Sequence, residues 1–265
     1  MSHLRLFTAR RLRSALGGLA LGAGLLGAGV FGDVAPVRAA DMDRAQVETI
    51  VKEYLLANPE VIRDALAELD RRQQAAEEKA RNDALSSSAD ILFNSEHQAV
   101  LGNPDGDVTL VEFFDYNCGY CKRAYADMVR LIEEDPKLRV VLKEFPVLGQ
   151  GSAEAAQIAV AVNKLAPEKY ADFHQALLLQ RGQANHASAI EAATGIGLTE
   201  AQIGEVVQTE LARTSISEVY ELADKLGLSG TPSYVVGNEV IPGAIGYDGL
   251  KARIESVRNC GQTTC

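Results

Sequence analysis

Apolar residues near the N-terminal end of the chain recur at helical spacing. Val47, Ile50, Val51, Tyr54 and Leu55 fall at i, i+3, i+4, i+7 and i+8, a single stripe on one helix face. Asn58-Pro59 interrupts the pattern, with Asn58 suited to cap a second helix that starts at Pro59. Ile62, Leu66 and Leu69 continue a stripe there, and residues 70–83 turn mostly polar. A stripe this narrow does not bury itself, so the pattern predicts a helical self-association segment over residues 40–83. The serines at 86–88 and the polar run before them predict a linker over residues 84–97 or an extended charged helix.

Beyond residue 97 the period changes. Gln98–Leu101 reads as a short edge strand, followed by an Asn103-Pro-Asp-Gly106 turn. Val108–Phe114 is almost continuously apolar, as in a strand buried on both faces. A helix is predicted from Tyr120 to about Glu134, stopped by Asp135-Pro136, and a second apolar strand over Leu138–Phe145. The pattern over residues 152–226 is helical throughout, punctuated by Pro167, Gly182, Gly195 and Gly197. Ser233–Val236 and Val240–Ile241 form a hairpin about Gly237-Asn238, and Tyr247–Val257 a last helix. The order is βαβ, a helical insertion, then ββα: an α/β fold in a domain spanning residues 98–265.

The first 39 residues change the charge picture. Arg5, Arg10, Arg11 and Arg13 precede an apolar, glycine-rich run from Leu16 to Phe31, and Val37 and Ala39 place small residues before a cleavage point. This is the layout of a secretory signal peptide cut near Ala39, and the run is short for a bilayer span. The full chain carries a net charge of −10. Five arginines and one aspartate leave with residues 1–39, so 21 basic residues face 35 acidic ones and the net charge becomes −14. Such a surface repels nucleic acid and anionic membranes. Export also places the four cysteines where disulfides form.

Two of those cysteines sit at the strand-to-helix junction, in Cys118-Gly-Tyr-Cys121. A C-x-x-C pair there is a redox motif, because the unpaired N–H groups and dipole of a helix N-terminus favour an anionic sulfur on the first cysteine. Glu112 stands in the preceding apolar strand, where a carboxylate is costly unless it has a partner or a task. Cys260 and Cys265 enclose four residues after the last helix. A structural disulfide that pins the tail is expected, a second electron relay being the alternative.

The stretch VEFFDYNCGYC, with Thr231-Pro232 before the third central strand and helices inserted between, resembles the DsbA-like disulfide oxidoreductases. The N-terminal VETIVKEYLLANPEVI narrows the likeness to the suppressor-of-copper-sensitivity C subfamily. The resemblance implies a thioredoxin fold with a helical insertion plus an N-terminal helical segment that forms a homotrimer. It implies Cys118 as the attacking thiolate, Cys121 as the resolving thiol and a redox-active disulfide in place of any cofactor. By the same likeness Glu112 takes the proton of Cys121, and Lys143 on the neighbouring strand pairs with that acid. Thr231 and Pro232 form a cis-proline loop that, with Tyr120, meets the substrate. Gly-Tyr between the cysteines and Thr before the proline are similar to periplasmic isomerases rather than to the strong oxidant.

The implied role is a periplasmic thiol-disulfide isomerase or reductase for misoxidised exported proteins, kept reduced by a membrane electron donor of the ScsB or DsbD kind and linked to copper tolerance. A dithiol oxidase is the enzymatic alternative. Zinc is disfavoured, since Cys118 and Cys121 lack a second ligand pair and His97, His174 and His186 show no ligand spacing and read as surface or helix-packing residues. Cu(I) on the reduced pair is a binding-protein alternative, because soft thiolates suit that ion. Neither nucleic acid nor stable membrane contact after cleavage is expected.

Overall fold

The computed structural model describes residues 43–265 of the chain; the signal-peptide reading lies outside them. They belong to two compact units that divide after Pro59. In the first, helix α1 (Arg44–Ala57) begins on an Asp43 capping box with Gln46, and Asn58 ends it. None of its residues is buried, and Val47, Ile50, Val51 and Tyr54 are all more than 40% exposed. No described helix is long and apolar enough to cross a membrane.

The second unit starts with α2 (Glu60–Ser87), a 28-residue helix whose exposed stripe is Ile62, Leu66 and Leu69. Of the two readings of this stretch, the extended charged helix holds as far as Ser87, and the linker over residues 84–97 does not. Helix α2 continues to Ser87 and buries Leu85, and α3 (Ala89–Asn94) buries Leu92 completely. Both leucines belong to a core with Val111, Phe113, Val141 and Val235 of the sheet and Val219 and Leu222 of a later helix. Local polarity around the serines hid two apolar anchors that only the sheet face explains.

Strands β1 (Ala99–Gly102), β2 (Val108–Phe114), β3 (Leu138–Glu144), β4 (Ser233–Val236) and β5 (Glu239–Pro242) form one sheet, ordered β1-β3-β2-β4-β5. Only β2 and β3 run parallel; the other neighbours are antiparallel. Helix α4 (Gly119–Glu134) joins that parallel pair. An insertion follows, made of α5 (Gln150–Leu165), α6 (Tyr170–Leu179), α7 (His186–Gly195), α8 (Glu200–Val207) and α9 (Leu211–Lys225). Helix α10 (Gly246–Cys260) closes the chain. This is the mixed α/β thioredoxin fold with inserted helices. Because β2 and β3 are covered on both faces, six of the seven residues in each are buried.

Candidate active site

Strand β2 ends at Phe114, and a three-residue link delivers Cys118 as the N-cap of α4 in extended conformation. The Cys118 thiol donates to the carbonyl oxygen of Thr231 at 3.1 Å, and the Thr231-Pro232 bond is cis. The chain segment before β4 thus lies across the first sulfur. That contact leaves Cys118 only 6% exposed, less accessible than an attacking sulfur on a free helix end, while Cys121, one turn inward, is 1% exposed. Both cysteines are unbridged.

Burial pushes the Cys121 thiol well up, and the charge of Glu112 adds to the shift. Glu112 is itself 4% exposed, and burial raises its carboxyl to about 8. It stands opposite Tyr234 in the β2–β4 ladder. The Tyr234 phenol is pushed upward by burial and then by the nearby Glu112 and Cys121.

Lys143 is not part of that group. Glu112 pairs across the ladder with Leu142, while Lys143 pairs with Phe113. Neighbours across a ladder share a face and successive residues alternate, so Glu112 and Lys143 point to opposite sides of the sheet. The Lys143 ammonium donates to the carbonyl of Ile91 in α3 at 2.6 Å. Burial draws it down to about 7, with Glu218 acting in the other direction. The expected pairing of Lys143 with Glu112 is therefore wrong by one residue of register.

Tyr120 is 61% exposed beside the cysteines, and the Arg123 guanidinium lies over its ring at 4.3 Å. Cys260 and Cys265 form a disulfide with 6.2 Å between their Cα atoms, at the end of α10. Among the described residues no group of three His, Cys, Asp or Glu side chains is arranged to hold a metal ion.

Several site residues escaped the sequence reading. Asp115, 2% exposed, accepts from Asn117 N at 2.7 Å, Ser152 Oγ at 2.7 Å and Leu148 N at 2.9 Å. Its backbone oxygen accepts from Cys118 N at 3.0 Å. Asn117 donates to Ser152 Oγ and to the Ala184 carbonyl, and accepts from Ala184 N at 2.7 Å. The two side chains tie the turn before Cys118 to the first turn of α5 and to the loops at Leu148 and Ala184. Gly151 lets this happen, since a Cβ there would stand 2.7 Å from the Ala184 oxygen. Deeper in, Tyr170 donates to Glu144 at 2.7 Å, and the Tyr116 hydroxyl lies 3.2 Å from His174 Nδ1. Burial raises the Glu144 carboxyl above its ordinary value, against the lowering effect of the Tyr170 and Tyr116 hydroxyls, and lowers His174 to about 3, so that the imidazole is neutral at neutral pH. His174 is a helix residue packed inside, as one of the readings had it. The sequence signal for these groups was polar residues at the ends of two apolar strands: Asp115 after Phe114, and Glu144 before Phe145.

The chain matches the DSBA-like thioredoxin domain over residues 109–255 and the copper resistance protein ScsC N-terminal domain over residues 43–76. It is 29% identical to disulfide bond formation protein D of Bacillus subtilis, over 66% of this chain and 81% of that one. A thioredoxin-like oxidoreductase from Silicibacter pomeroyi is 41% identical, with a TM-score of 0.62, covering 64% of this chain and 98% of its own. ScsC of Proteus mirabilis in a compact conformation is 30% identical, with a TM-score of 0.62, over 82% of this chain and 99% of its own.

Proposed function

The chain belongs to the DSBA-like thioredoxin-domain family, and from that membership we propose a periplasmic disulfide isomerase and reductase acting on exported proteins with wrongly paired cysteines. It is a thiol-disulfide oxidoreductase of the DsbA/ScsC type. The observation that carries the site assignment is the Cys118 sulfur at the head of α4, against the Thr231 carbonyl, with Cys121 and Glu112 buried behind it.

In the proposed cycle the Cys118 thiolate attacks one sulfur of a substrate disulfide. One S–S bond forms, the substrate bond breaks, and the leaving sulfur departs as a thiolate that takes up a proton. A second substrate thiolate can then attack the mixed disulfide and return Cys118 reduced, which is isomerisation. Otherwise Cys121 gives its proton to the ionised fraction of Glu112, which grows as pH rises toward about 8, and attacks Cys118, so the substrate leaves reduced and the enzyme oxidised by two electrons. A membrane thiol-disulfide donor would supply those electrons again.

The preference for isomerisation over oxidation rests on the Gly119-Tyr120 dipeptide, on Thr231 before the proline, and on the exposed apolar stripes of α1 (Val47, Ile50, Val51 and Tyr54) and of α2 (Ile62, Leu66 and Leu69), which would join copies into a homotrimer. Residues 1–39 would direct export and be removed. A second reading, Cu(I) sequestration by the reduced dithiol, is favoured by the copper-resistance description of the family matched at residues 43–76. Refolding of a scrambled multi-disulfide protein at catalytic enzyme ratios, beside a Cu(I) titration, separates them. Recovery of native pairing supports isomerisation. Tight stoichiometric Cu(I) binding with no recovery supports sequestration, and oxidation of reduced substrate without reshuffling supports an oxidase.

A further inference from the structure

We propose that Arg123 is a specificity-determining cation at the rim of the dithiol, which selects thiols and disulfides carrying an anionic group beside the reacting sulfur. The proposal rests on exchange at Cys118. Tyr120, between the cysteines, builds a seat for this guanidinium, its ring 4.3 Å from the guanidinium carbon. Gly119 is not required for it, since a Cβ there would meet Arg123 Nη1 at 3.7 Å, an ordinary contact. A planar cation held on an aromatic face keeps its N–H edge free for a carboxylate.

The charge is available. Arg123 is exposed and takes part in no salt bridge among the described residues, although Asp127 lies one turn further along the same helix. Lys122 beside it is occupied differently, its ammonium lying 3.5 Å from the carbonyl oxygens of Gln180 and Gly182. The chain as a whole is acidic, with a net charge of −10, and repels anions at a distance. A cation five residues after Cys118, near the head of α4, adds to the positive end of that helix. The partner this fits is a cysteine-containing peptide or small thiol with a carboxylate close to its sulfur.

Three small disulfides test it: oxidised glutathione, which is anionic, hydroxyethyl disulfide, which is neutral, and cystamine, which is cationic. With each, Cys118 forms the mixed disulfide and releases one thiolate, and Cys121 then displaces the second. The disulfide gains two electrons and the enzyme loses two. The reading is the rate with the anionic probe divided by the rate with the neutral one. Arg123→Gln is expected to lower that ratio about threefold at low salt, and Arg123→Glu further, the size of a partly exposed charge interaction. The cystamine ratio moves the opposite way, and about 1 M salt erases both effects. Arg213→Gln makes the same net-charge change at a residue paired with Glu210 in α9 and should leave the ratios in place. Unchanged ratios in Arg123→Gln, or an equal fall in Arg213→Gln, overturn the proposal. Failure of wild-type enzyme to exchange with any of the three overturns the exchange reading beneath it instead.

Discussion

Glu112 and Lys143 occupy neighbouring strands and opposite faces of the sheet. The folded protein binds a proton at Glu112 up to about pH 8, which the unfolded chain releases in the ordinary carboxylate range. Stability from this group is fully present below the unfolded value and is lost as pH rises through about 8. Glu112→Gln should therefore gain a few kcal/mol over wild type between about pH 5 and about pH 8. Lys143, drawn down to about 7, has the reverse slope: its stability is present above the unfolded lysine value and is lost as pH falls through about 7. Lys143→Met should remove that slope. Urea titrations of both variants and the double variant across pH should be additive to within about 0.5 kcal/mol. The same variants separate the chemistry. Glu112→Gln should slow Cys121-dependent release of a Cys118 mixed disulfide roughly tenfold to a hundredfold and abolish its rise toward pH 8. Lys143→Met should change it less than about twofold; a matching loss would return Lys143 to the relay.

The two redox cysteines should react in order. Cys118 is the more exposed of the pair, and burial keeps the Cys121 proton in place. Alkylation of the reduced protein at mildly acidic pH, followed by peptide mapping, should label Cys118 first. Equal labelling would contradict the assignment of roles.

The tail disulfide should matter little to turnover. The Cys260–Cys265 bond closes a short loop beyond the last core residue of α10, Ile254. Replacing both cysteines by Ser should cost at most about 2–3 kcal/mol in thermal or urea unfolding and leave exchange rates intact. Lost activity in a folded variant would make the pair an electron relay.

Truncation distinguishes the stalk from the core. Removal of residues 40–83 should yield a folded, redox-active monomer that no longer isomerises, seen by sedimentation with both activity assays. Extending the cut to residue 90 also removes Leu85, a core residue, together with the start of α3. That longer cut should cost a further 2–5 kcal/mol, as for loss of a buried leucine. An intact protein that sediments as a monomer, or a truncated one that still isomerises, refutes the stalk.

Much of this protein was decided within short stretches of sequence. The alternation and length of apolar runs placed all five strands, the break at Asn58-Pro59 and the helical insertion, because period and breakers act locally. The C-x-x-C pair and Thr231-Pro232 were legible for the same reason, each being a contiguous motif. What stayed hidden depends on register and on contacts between distant segments. One residue of strand register sends Lys143 to α3 rather than to Glu112. Asp115 became a hub only once Leu148, Ser152 and Asn117 converged on it. The segment at 84–97 looked like a linker until the second sheet face was there to bury Leu85 and Leu92. Local sequence sets backbone preference and chemical type; which face a side chain enters, and what meets it there, follows from packing the sheet against its helices.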